Sequence, residues 1–146
     1  MREPQAVVTI YRSIDEVFEY LADGANDAAW MPWVTKCALT GYGGGAGATY
    51  VQSLETSPLH RRTLRYRVLN FHRPVLLSRE ATSLPGSPVG RFRLSAIGVN
   101  RTAVALTLDI RQGRLGELVL SAAERWTSQL VASLPQLKAN LEARTG

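Results

Sequence analysis

The chain has 146 residues, with 17 Lys+Arg, 12 Asp+Glu and one Cys, and 45% of it is hydrophobic. One domain of this length buries roughly 68–70% of its unfolded surface and needs no covalent staple, while the lone Cys37 excludes an intrachain disulfide and a Cys-based zinc site. The apolar content excludes a disordered chain, no apolar run approaches the ~18–20 residues of a membrane span, and Met1–Gln5 lacks the apolar stretch of a signal peptide, so a soluble protein of the reducing cytoplasm is expected.

The net charge of +5 is unevenly spread. Residues 1–59 carry net −4, residues 60–114 net +9, and residues 115–146 are balanced. Arg supplies all but two of the cations, Lys36 and Lys138. Such a bias arises in GC-rich genomes, and also where planar guanidinium forks read phosphate or carboxylate.

Gln5–Tyr11 is β-branched and aromatic and reads as a strand. Ser13-Ile-Asp-Glu16 is a capping box that opens a helix, and Ile14, Val17, Phe18 and Leu21 form its apolar face. Asp23-Gly24 ends that helix, Asn26–Trp30 fits one more short helical turn, and Pro32 stops it. From Trp33 to Arg111, segments alternate with turn signals and predict an antiparallel meander of six strands. They are Val34–Thr40, Ala48–Thr56, His60–Phe71, Val75–Ser83, Arg91–Ile97 and Thr102–Arg111. In the last of these, Thr102, Val104, Leu106, Leu108 and Ile110 form the predicted buried face.

Helical periodicity returns after Gly116, with a stripe of Leu118, Ala122, Trp126, Leu130, Leu134, Leu137 and Leu141 over 117–144. Such a helix is about 40 Å long, and Pro135 is expected to kink it. No repeat or linker appears, so residues 1–146 are expected to form one α+β domain. A long helix across a curved sheet leaves room for a ligand cavity.

Val17-Phe-Glu-Tyr-Leu-Ala-Asp-Gly-Ala-Asn26, followed by Trp30 and Trp33, resembles the first signature of the START-like, helix-grip superfamily (SRPBCC). Within it the chain is most similar to the polyketide cyclase/dehydrase and lipid-transport branch. Gly47-Ala-Thr-Tyr50, the Asn70–Pro74 turn and the closing helix extend the resemblance across the chain. Gly24, where the family has Pro, and Pro135 depart from the pattern. The resemblance implies a seven-stranded antiparallel sheet wrapped around the C-terminal helix, with two short helices between strands 1 and 2. It also implies a mainly apolar pocket for a lipid, quinone or polyketide. A fold does not choose among these.

Gly41–Gly47 lacks the Lys-Ser/Thr and helix of a phosphate loop and reads as a hairpin. His60 and His72 stand at opposite ends of one strand, roughly 40 Å apart, and cannot share a metal. No metal site and no cofactor are predicted. His72 is a candidate general acid at the cavity edge. No nucleophile motif appears, and Cys37 is expected to pack as a small apolar residue.

Strand parity points Leu64 and Tyr66 inward with Phe92, Leu94 and Ala96, and points Arg65, Arg67, Arg91 and Arg93 outward. The predicted ligand lining is Trp30, Trp33, Tyr50, Leu64, Tyr66, Phe92, Leu94, Trp126 and Leu130. One of Arg79 and Glu80 must face the cavity, and parity leaves open which. With Tyr66 they are the acid–base candidates of the alternative reading, a polyketide cyclase, aromatase or dehydratase. The expected partner is a hydrophobic or amphipathic small molecule, and nucleic acid is not expected. The outward arginines, with Arg61 and Arg62, offer contact with an anionic membrane or an acidic protein, and a homodimer is left open.

Overall fold

The structure is a computed structural model and describes residues 5–41, 43–110 and 117–144. The first strand, β1 (Ala6–Ile10), leads into α1 (Ile14–Ala22), a 3-10 turn (Gly24–Asn26) and α2 (Asp27–Trp30). Six strands follow: β2 (Val34–Thr40), β3 (Thr49–Ser57), β4 (His60–His72), β5 (Leu76–Glu80), β6 (Pro88–Gly98) and β7 (Arg101–Ile110). The closing helix is α3 (Glu117–Ala143). All seven strands form one antiparallel sheet in the order β1-β7-β6-β5-β4-β3-β2. The fold class read from the sequence is therefore the one observed.

The Ser13 hydroxyl accepts from the Glu16 N–H at 3.3 Å and so caps α1. The Glu16 carboxylate meets that same hydroxyl at 3.3 Å, so this side of the box closes side chain to side chain. Val17, Phe18 and Leu21 are buried, as their spacing predicts. Strand parity also holds through β6 and β7. Phe92, Leu94, Thr102, Val104, Leu106 and Leu108 are buried, while Ala96 is exposed near the strand's end. Ile110 and Leu118 were expected inside, but their side chains lie outside the described residues, as does Arg111.

Two strand boundaries differ from the expected ones by three residues, the others by one at most. β6 starts at Pro88, since Pro is tolerated at a strand's first residue. β5 stops at Glu80, because Ala81 to Ser87 fold into successive turns with Gly86 at φ +77°. A register shift between Val68 and Phe71 interrupts the β4–β5 pairing. There the Ser78 hydroxyl accepts from the Asn70 N–H at 2.9 Å and donates to Asn70 Oδ1 at 2.7 Å.

Ala122, Trp126, Leu130, Leu134, Leu137 and Leu141 of α3 are all buried. The helix continues unbroken through Pro135, which lies on its exposed side. The carbonyl that Pro135 leaves without a helical partner is that of the half-buried Val131, one turn earlier. The C-terminal end of α3 is pinned. Glu142 accepts from the Tyr11 N–H at 2.8 Å, Lys138 donates to the Thr9 carbonyl at 2.7 Å, and Asn140 donates to the Ala29 carbonyl at 2.8 Å. At the other end Gly90 lets α3 come close, since a Cβ there would sit 3.3 Å from both Trp126 and Leu130. Among the described residues, no helix is long and apolar enough to cross a membrane.

Candidate functional site

The inner face of the sheet carries a charged cluster that strand alternation helps to place. In β5, Leu77 and Arg79 face the core. Arg79 is thus the inward member of the Arg79/Glu80 pair, and Glu80 turns to the other face, bonded to Arg67 at 2.8 Å. Arg79 is 3% exposed. It meets Asp27 of α2, which is fully buried, through two bonds of 2.9 Å to the two carboxylate oxygens. Its Nη2 also donates to the Leu21 carbonyl at 3.1 Å. This bidentate geometry is the form in which a buried guanidinium is best satisfied.

Three further side chains converge on Asp27 Oδ2. Tyr66 donates its hydroxyl at 3.0 Å, Gln52 its amide Nε2 at 2.8 Å, and the Cys37 thiol lies at 3.5 Å. The Arg79 guanidinium stacks over the Tyr66 ring, 4.6 Å from its centroid, and the Tyr50 ring also stacks on Tyr66, at 5.0 Å between centroids. Gly24 makes this layer possible. A Cβ there would lie 2.4 Å from the Tyr66 hydroxyl and 2.5 Å from the Tyr50 ring. The departure from the family's Pro at this position therefore sits at the tightest contact of the cluster.

The electrostatics follow from burial. Burial pushes the Tyr66 phenol far above its ordinary range, and the Arg79 charge offsets only part of this. Burial alone would lower Arg79, but Asp27 and its neighbours hold it above its ordinary value, so it stays charged. The Cys37 thiol is pushed up to about 12, chiefly by burial and secondarily by the Asp27 charge. It packs inside, as expected, and also borders the polar cluster. Burial likewise raises Tyr50, against a Gly24 backbone hydrogen bond.

Beside the cluster, between the sheet and α3, lies a narrow crevice. Met31, Trp33, Leu54, Leu64, Trp126 and Leu130 line it, together with the amides of Gln52 and Gln129. The space it encloses is about 10 Å³, room for about one water. Ligand pockets for drug-sized molecules run from about 300 to 1,000 Å³, so in this conformation the sheet and α3 are packed closed over the crevice.

The nine residues read as lining divide among three places. Trp33, Leu64, Trp126 and Leu130 border the crevice. Tyr50 and Tyr66 belong to the cluster layer, and Trp30, Phe92 and Leu94 are packed in the core. The Trp30 ring meets Phe92 edge-on at 6.5 Å, and its Nε1 is buried without a hydrogen-bond partner among the described residues. His72 is exposed at the end of β4, away from the cluster.

Sequence reasoning missed Asp27 and Gln52. Both had a signal: Gln52 shares β3 parity with Tyr50, and Asp27 precedes Trp30 by three residues, hence on one helix face. On the outer face, Arg65, Arg67 and Arg93 are exposed and Arg91 is half-buried. Two of these four are neutralised, Arg67 by Glu80 and Arg91 by Asp109. The basic face is thus weaker than the sequence count suggested.

A seven-stranded antiparallel sheet folded over one long helix, with an apolar crevice between them, defines a helix-grip protein. The chain belongs to the polyketide cyclase/dehydrase and lipid transport family, whose model matches residues 1–142. Among solved structures it is similar to the ZhuI aromatase/cyclase from Streptomyces sp. R1128, at 19% identity and TM-score 0.72, covering 95% of this chain and 92% of that one. It is equally similar in shape to Ara h 8.0201, at 8% identity and TM-score 0.72, covering 95% and 96%. The KanY protein follows at 15% identity and TM-score 0.63, covering 98% and 100%. At these identities the likeness is one of fold. A search of curated proteins found no match.

Proposed function

We propose that the chain binds a compact, mainly apolar small molecule in the crevice between the sheet and α3. The observation that carries this reading is the lining itself: six large apolar side chains around two amides, one of them buried. Apolar walls with a few placed polar groups are what a ligand site requires. The crevice encloses room for about one water, so the occupant enters as α3 parts from the sheet. The family supports the reading, since its description joins polyketide cyclases and dehydrases with lipid transport.

The enzymatic alternative, cyclisation or dehydration, rests on Tyr66 and Arg79. Both are already committed to Asp27, and the Tyr66 phenol is held far above the range in which it could take up or release a proton at neutral pH. This supports a binding role over proton transfer by the cluster. Tryptophan emission provides the test, because Trp33 and Trp126 both border the crevice. Titration with fused-ring aromatics should give saturable quenching, and Leu130→Trp should abolish it by filling the space. No saturable signal and no thermal shift with any aromatic or fatty-acid probe would sink the proposal.

A further inference from the structure

The β3–β4 hairpin closes on a two-residue turn, Pro58-Leu59, between the register partners Ser57 and His60. Turn positions favour Gly, Pro, Asn, Asp and Ser, so Pro58 is expected there and Leu59 is not. Leu59 is nevertheless 92% exposed, the most exposed large apolar side chain among the described residues. His60, Arg61 and Arg62 follow it directly and are exposed as well. Two residues beyond the tip begins an open groove of about 430 Å³. It is lined by Arg61 and Arg62, by the hydroxyl residues Thr35, Ser53 and Thr63, and by Glu55 and Leu54. Lys36 stands opposite Ser53 in the β2–β3 ladder and is exposed. Lys36, Arg61 and Arg62 thus outnumber the Glu55 carboxylate at this end of the sheet, whereas Arg67 and Arg91 are matched by Glu80 and Asp109.

We propose that the β3–β4 hairpin docks on an anionic phospholipid surface, with Leu59 entering the acyl boundary and Arg61 and Arg62 taking lipid phosphate at the groove. Guanidinium forks beside hydroxyl donors are the groups that hold a phosphate. The apolar tip ahead of them decides which phosphate. A soluble anion gives Leu59 nothing to bury against, while a bilayer sets hydrocarbon directly beneath its phosphates. Leu54 belongs to the groove and to the crevice, and the Glu55 N–H donates to the Trp33 carbonyl at 2.8 Å. Docking therefore places two crevice walls, Trp33 and Leu54, beside the bilayer. The surface does not depend on what the crevice binds, so its failure leaves the crevice reading standing.

Co-sedimentation with phosphatidylcholine vesicles, with and without roughly 30% phosphatidylglycerol, tests this. The chain should sediment with the anionic vesicles and not with the neutral ones, and should be released as salt rises to about 0.5 M. Arg61→Ser combined with Arg62→Ser should weaken the partition roughly 10–30-fold, about fivefold for each basic residue lost. Leu59→Ser should weaken it roughly tenfold, the lower end expected for burying one leucine side chain. An environment-sensitive dye on Leu59→Cys should shift to the blue on anionic vesicles, and Cys37, being buried, does not compete for the label. No sedimentation, equal sedimentation with both vesicles, or unchanged partition in the arginine variant overturns the proposal. A dye that does not shift while the protein sediments overturns it too, because another face then makes the contact. Release by millimolar glycerol phosphate at matched ionic strength overturns the bilayer as occupant and makes the groove a site for a soluble phosphate.

Discussion

Removing the guanidinium from beneath Asp27 should cost more stability than any other single polar change in the molecule. In Arg79→Met the aliphatic stem is largely kept, but Asp27, fully buried, loses both 2.9 Å charge-assisted bonds. Tyr66 and Gln52 still donate to it, yet neither carries charge. Breaking one side of a buried ion pair costs about 3–5 kcal/mol. In a chain of this size that corresponds to a fall in Tm of about 10–15 °C. Asp27→Leu should cost a similar amount, by leaving the guanidinium unpaired. The double variant should recover much of the loss, since an apolar pair often replaces a buried ion pair without penalty. Recovery will be incomplete, because Tyr66 and Gln52 then lack their shared acceptor, at about 1–3 kcal/mol each. Equilibrium urea unfolding of the four proteins closes the cycle. If the two single losses add in the double variant to within about 0.5 kcal/mol, the residues are not coupled and the cluster does not work as described.

Three smaller perturbations probe the same geometry. Gly24→Ala should destabilise by about 1–3 kcal/mol in urea unfolding, because its Cβ meets the Tyr66 hydroxyl, which Asp27 holds in place. Native Cys37, pushed up to about 12, carries on the order of a thousandfold less thiolate at pH 8 than a free thiol. It should therefore stay silent toward Ellman's reagent until urea unfolds the chain, and rapid native labelling would contradict its placement. Glu142 is held below its ordinary range, first by the Lys138 hydrogen bond and then by the Tyr11 N–H. Its contribution is present above the unfolded pKa of about 4.3 and is lost as pH falls through the lower folded value. Glu142→Gln should flatten the stability profile below that pH. The change should be under about 1 kcal/mol, since the carboxylate is only half-buried and solvent screens it.

Most of the fold was legible because its signals are local. Alternation in Thr102–Leu108 and the helical stripe from Ala122 to Leu141 both declare a buried face through spacing alone, and the structure buries both. The β4 bulge was not legible. It depends on Ser78 satisfying the Asn70 backbone across the ladder, which no period of two encodes. Parity could say that one of Arg79 and Glu80 turns inward. It could not say which, because the partner that makes a buried arginine tolerable, Asp27, lies 52 residues earlier on a four-residue helix. Gln52 shares the β3 face of Tyr50, but its partner Asp27 lies 25 residues earlier, so it reads in the sequence as an ordinary polar residue.

The distribution of charge is where sequence and structure differ most in what they suggest about function. Counted along the chain, the excess of arginine between residues 60 and 114 points outward, to an anionic partner. In space, Arg67 and Arg91 are matched by Glu80 and Asp109, and Arg79 is spent inside. The most consequential arginine is thus the one no partner can touch. A buried charge pair is weak evidence for stability in itself, since apolar packing would serve as well. Its retention is better explained by what it orients: a carboxylate that accepts from four side chains fixes the rotamers of Tyr66 and Gln52 together. Of these two, only Gln52 reaches the crevice, so one side chain ties the buried cluster to the crevice wall.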